Sequence, residues 1–189
     1  MPNPWDRPPR PARGDIDENA TYAGVGRVIS RWELLETETA DLYAIFLAAR
    51  YCQDAYDEYY KRGKTTQNRI ATTGEAADRY FRRTPNQTLE GSFCGLMRKL
   101  RGFSERRHEV AHGIVRPMHW YAQSLPTFDP DYGGQYQYCV VPPPYQRTWV
   151  KGWTPEYVYT SLELIALSDL IFSVFNEFGQ FKNLLLGVT

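Results

Sequence analysis

At 189 residues the chain has the length of one domain with a substantial core. Lys plus Arg and Asp plus Glu balance at 22 each, which excludes a global field that gathers polyanions, so any nucleic-acid site must be a local patch. Aromatic residues make up 15% of the chain, a payload that excludes a disordered polymer and predicts a packed fold.

Residues 1–17 form a Pro/Arg-rich tail, with five prolines and three arginines in the first fourteen positions and no apolar run of the kind a signal peptide needs. Such a segment is expected to be extended and mobile, with a single domain over 18–189. Val25, Val28, Trp32, Leu35, Thr39, Leu42, Phe46 and Ala49 alternate steps of three and four, the stripe of one long helix packed lengthwise on others. From Thr21 to Ala49 that helix would run roughly 42 Å. Residues 50–62 continue helically after a bend and stop at Gly63, and a further helix covers about 65–82.

Thr84-Pro85-Asn86 breaks the chain, and Asn86 or Thr88 can cap a third long helix over about 89–112, ended by Gly113. Residues 114–153 change character. Prolines, Gly133-Gly134 and the alternation from Gln135 to Val141 predict loops with a short strand or hairpin. Thr154-Pro155-Glu156 has the form of a helix start, and the last helix presents Leu164, Leu167, Ile171, Val174, Phe178, Phe181 and Leu185 on one face. The predicted fold is all-α, an antiparallel bundle of four to five helices with a short β-hairpin or loop excursion before the last helix. The most apolar stretch, Leu162 to Phe175, is interrupted by Glu163 and Asp169 and is too short for a bilayer, so no membrane partner is expected. Cys52, Cys94 and Cys139 are widely spaced and odd in number, which predicts buried thiols in a reducing, cytoplasmic setting.

The chemistry concentrates in Arg106-Arg107-His108-Glu109-Val110-Ala111-His112-Gly113. From His108 the run spells H-E-x-x-H, two imidazoles one turn apart that could share a zinc ion. The extended zinc-peptidase pattern fails, since Val115 and Met118 stand where glycine and a third histidine belong, and His119 is one residue off. A third ligand would have to be distant, Glu156 or Glu163, and Arg106 and Arg107 would oppose a dication. From Arg107 the same run spells R-x4-H at the end of a helix.

That pattern, with the long first helix carrying Trp32-Glu33-Leu34-Leu35-Glu36, resembles the HEPN superfamily (higher eukaryotes and prokaryotes nucleotide-binding domains) over about residues 20–185. Many members carry asparagine where His108 stands. The resemblance implies a homodimeric, metal- and cofactor-independent endoribonuclease acting on RNA, in settings such as toxin–antitoxin or anti-phage systems with an antitoxin or other protein partner. It implies catalytic roles for Arg107 and His112, with His108 or Glu109 assisting. A non-catalytic nucleotide- or protein-binding module of the same fold, and a zinc hydrolase built on His108 and His112, are the competing readings. The residue chemistry agrees with the first. A guanidinium forks onto phosphate oxygens, and an imidazole moves protons near neutrality. Residues five apart are about 140° out of phase on a helix, so Arg107 and His112 do not share a face without distortion or a second copy.

Glu36, at the edge of the first stripe, is either a buried partner orienting Arg107 or a boundary residue. Arg106 is a supporting residue. Arg98, Lys99, Arg101, Arg106 and Arg107 form either a phosphate-tracking patch or a solvated helix face. Tyr136, Tyr138, Tyr145, Trp149 and Trp153 either stack bases or pack the excursion.

Overall fold

The computed structural model describes residues 3–125, 128–129, 136–143, 149–150 and 154–187. It is all-α in class, with five α-helices among the described residues. These are α1 (Glu18–Phe46), α2 (Cys52–Arg62), α3 (Thr66–Arg83), α4 (Gln87–His112) and α5 (Ser161–Leu186). Between α4 and α5 lie β1 (Ile114–Pro117), a 3-10 turn over Met118–Ser124, β2 (Tyr138–Val141), β3 (Trp149–Val150) and β4 (Thr154–Pro155). The residues cluster into two compact units, Met1–Arg31 with Glu105–Leu170, and Trp32–Ser104 with Ile171–Thr189.

In the second unit the predicted stripes turn inward. Trp32, Leu35, Leu42 and Phe46 are fully buried, with Ile171, Val174, Phe178 and Phe181 from α5. Phe46 meets Phe93 edge-on at 5.1 Å and packs on Tyr80 and Phe81, an arrangement that suits the quadrupoles of aromatic rings. The helix boundaries follow local chemistry. The Asn68 amide donates to Thr65 Oγ1 to cap α3, the Leu89 amide donates to Asn86 Oδ1 to cap α4, and Gly63 closes α2. After α1, Ala48 takes a positive φ of 51°, which makes the predicted bend an interruption between separate helices.

In the first unit β1 and β2 pair antiparallel, with Ile114 opposite Val141 and Arg116 opposite Cys139. Their buried side packs Cys139 and Val141 on Met118, Leu125 and Val158. Gly113 joins α4 to β1 where a Cβ would sit 2.4 Å from Val140 Cγ1 and 2.8 Å from the Glu109 carbonyl oxygen. Gly113→Ala is therefore expected to cost about 1–3 kcal/mol by overpacking, read as a lower urea midpoint at unchanged m-value.

Three expectations are corrected. Thr154-Pro155 is strand, paired with Val150 and Trp149, and α5 begins only at Ser161. The start signal is Thr160-x-x-Glu163, in which the Thr160 amide donates to Glu163 Oε2 at 2.8 Å and the Thr160 hydroxyl donates to the same oxygen. The Pro/Arg segment, from Asn3 onward, is bonded into the first unit. Asp15 and Tyr138 exchange backbone bonds at 2.9 and 2.7 Å, and the Asp15 carboxylate accepts from Thr21 and from Ser161 at the start of α5. Its prolines lack amide donors, so the segment gains order from side chains of the unit it crosses. Finally, Cys139 is buried but Cys52 and Cys94 are exposed. Burial pushes the Cys139 thiol well above its ordinary value. A disulfide thiol reagent is expected to titrate two thiols in the folded protein and the third only after unfolding. Reaction of all three at one rate would contradict this burial.

Candidate functional site

The last two turns of α4 carry the motif, and they divide it into a buried half and an exposed half. Arg106 and Glu109 are buried, at 7% and 8% exposure, Arg107 is half-buried, and His108 and His112 are exposed. This is the helix period at work, since 106 and 109 share one face while 108 and 112 share another.

Glu109 is the hub of the buried half. Its Oε1 accepts from Arg7 Nε at 2.9 Å and Nη2 at 2.7 Å and lies 3.1 Å from Arg106 Nη2. Its Oε2 accepts from the Tyr159 hydroxyl at 2.5 Å, and its backbone carbonyl accepts from the Tyr157 hydroxyl at 3.0 Å. The rings of Tyr157 and Tyr159 stack at 5.5 Å. Burial and then the Glu109 carboxylate push the Tyr159 phenol upward, so it remains a donor. Arg7 also bonds Glu156 at 2.7 Å, fastening the tail across the helix end. A carboxylate so fully engaged is a positioning group and not a free base. Sequence reasoning missed Arg7 because it lies about one hundred positions away in a segment read as mobile.

In the exposed half the His108 and His112 rings lie 4.4 Å apart between centroids, tilted by 48°. His108 is held below its ordinary value near 6.5, first by burial, then by His112, then by Arg107, with Glu109 opposing. A neighbouring imidazole and guanidinium make a positive charge on His108 costly, which favours its neutral form. A neutral imidazole beside a protonated one is an acid–base pair.

The other predicted residues are distributed differently. Glu36 is buried, and its carboxylate bonds Arg69 and, at 3.1 Å, the Thr66 hydroxyl, so the partner that the structure supplies for it is Arg69. Of the basic run, Arg106 turns into the interior and Lys99 pairs with Glu177 at 2.8 Å, which leaves Arg98 and Arg101 exposed and breaks up the continuous patch. Both distant carboxylates proposed as zinc ligands are engaged, Glu156 by Arg7 and Glu163 by Thr160. Among the described residues no group of three or more His, Cys, Asp or Glu side chains is placed to hold a metal ion. Two imidazoles alone fall short of a structural or catalytic zinc shell. Tyr136 is exposed and Tyr138 half-buried, while Tyr145 and Trp153 lie outside the described residues and Trp149 is described in its backbone only.

A feature that the sequence reading passed over follows β1 in the chain. Trp120 is 56% exposed, with Arg116 Cζ 5.0 Å above its ring, and the His119 ring lies 5.0 Å from that of Tyr136. The signal was present in Arg116-Pro-Met-His-Trp120, a cation and an indole four apart directly after the motif. No helix among the described residues is long and apolar enough to cross a membrane. Comparison with protein-family models, with curated proteins and with solved structures finds no match to this chain.

Proposed function

We propose that the chain is a metal-independent endoribonuclease whose proton-transfer pair is His108 and His112, with Arg107 as the phosphate ligand. The observation that carries this reading is the contact of the two exposed imidazoles at 4.4 Å, beside an arginine. In the proposed reaction neutral His108 takes the proton of a ribose 2′-hydroxyl as its oxygen attacks the adjacent phosphorus. Protonated His112 gives a proton to the departing 5′-oxygen. The phosphorus–5′-oxygen bond breaks, leaving a 2′,3′-cyclic phosphate and a free 5′-hydroxyl, with no change of redox state. Arg107 neutralises the charge that grows on the non-bridging oxygens.

The resemblance to HEPN ribonucleases in R-x4-H supports the same chemistry. It supports a homodimer as well, in which a second copy supplies the residues that lie out of phase on one helix. It also makes an antitoxin-like partner part of the proposal. The test is incubation of the pure protein with total RNA, with and without a chelator, followed by end-group analysis. Cleavage that persists in chelator and leaves cyclic-phosphate ends supports the reading. Intact RNA in both arms would assign the chain to the non-catalytic binding module, and activity lost in chelator and restored by zinc would revive the metallohydrolase.

A further inference from the structure

We propose that the groove at the end of α4 is a nucleobase-stacking subsite that selects single-stranded RNA, with Trp120 as its platform. The inference rests on the ribonuclease reading and adds to it the form of the substrate.

The groove holds about 570 Å³ and runs between β1 and the start of α1, with Tyr22, Val25, Arg116 and Trp120 among its walls. Ala111 and Gly113, the sequence neighbours of His112, also line it and carry it to the end of α4. That volume falls in the range of cavities that enclose a ligand of a few rings. Three properties identify the occupant. Trp120 and Tyr22 are 56% and 54% exposed, large apolar rings left facing solvent on one small surface. Among the described residues that line the groove, Arg116 is the only charged one, and it offers a phosphate a counter-charge. Its guanidinium carbon lies 5.0 Å from the centre of the Trp120 ring, a cation–π contact that ties the charge to the aromatic platform.

Exposed aromatic faces interleaved with arginine are the chemistry that holds unstacked bases along a charged backbone. A duplex keeps its base faces stacked inside and cannot offer them to Trp120. An apolar peptide would leave Arg116 without a counter-charge. A base on Trp120 would sit in the groove that Ala111 and Gly113 carry to the α4 end.

The experiment measures fluorescence anisotropy of a labelled 2′-O-methyl hexanucleotide, which the proposed chemistry cannot cleave. Full-length wild-type protein is compared with Trp120→Ala, Arg116→Ala and His112→Ala, each checked by circular dichroism and melting. Loss of one base–aromatic stack is expected to weaken binding by about 5- to 150-fold in Trp120→Ala. Arg116→Ala is expected to weaken it and to flatten its salt dependence, and the same sequence as a duplex is expected to bind more weakly than the single strand. Equal binding by Trp120→Ala and wild type, or no binding by wild type, overturns the proposal. The two readings fail separately. RNA cleavage with a KM unchanged by Trp120→Ala removes the subsite and leaves the nuclease, whereas Trp120-dependent binding with no cleavage of any RNA removes the nuclease and leaves the subsite.

Discussion

Glu109→Ala is expected to lower stability by about 3–5 kcal/mol, the cost of taking from a buried arginine its buried counter-ion. For a chain of this size that corresponds to a melting point lower by roughly 6–20 °C. The carboxylate bonds Arg7, Arg106 and Tyr159 at once, and its removal leaves Arg106, with a side chain only 9% exposed, paired only with the exposed Glu105 at 3.3 Å. Arg7→Ala should cost less, because Arg7 is 35% exposed and water can replace its partner. The order matters more than the sizes. Both variants leave His108 and His112 in place, so the folded fraction of each is expected to retain the chemistry of the parent. A Glu109→Ala protein that melts with wild type but has lost cleavage would instead make Glu109 a participant in the reaction and the buried hub incidental.

His108→Ala and His112→Ala are each expected to reduce cleavage by about 10²- to 10⁴-fold with little change in melting, since both side chains are exposed and each supplies one proton transfer. The pH dependence follows from the direction of the His108 shift. Burial, His112 and Arg107 hold it below 6.5, so it is neutral and able to accept a proton at pH 7. The acid limb of kcat/KM should accordingly lie below pH 6.5. In His112→Ala a positive neighbour is gone, and the His108 ring should titrate at a higher pH, as followed by the NMR shift of its Cε1 proton. Folding responds in the same window. An unfolded His108 binds its proton before the folded one does, so this residue costs nothing above about pH 6.5, and its penalty grows as the pH falls toward the folded value. A His108 resonance that titrates above 6.5, or does not move in His112→Ala, would undo the coupling of the pair.

Much of the architecture was legible in the chain because it is periodic. The stripes on α1 and α5 repeat every three to four residues, and their central members, Val28 to Phe46 and Leu164 to Phe181, find the interior regardless of what they meet there. Asn86, Gly63 and Gly113 marked boundaries through local backbone chemistry alone. The start of α5 was misplaced because Thr154-Pro155 satisfies the rules for a helix start. Pairing with Trp149 and Val150 took those residues into a strand, and the Thr160–Glu163 box capped the helix later.

By itself the sequence determined that two histidines one turn apart share a face of α4, and that an arginine precedes them. It also determined that the chain is built mainly of amphipathic helices. Only the tertiary structure decided that Glu109 is buried among Arg7, Arg106 and Tyr159, that Glu36 belongs to Arg69, and that the Pro/Arg segment is part of the fold. The reason is distance along the chain. Helical spacing and caps act over three or four residues and can be read directly, whereas a carboxylate chooses among distant cations by burial and geometry that exist only once the elements have packed.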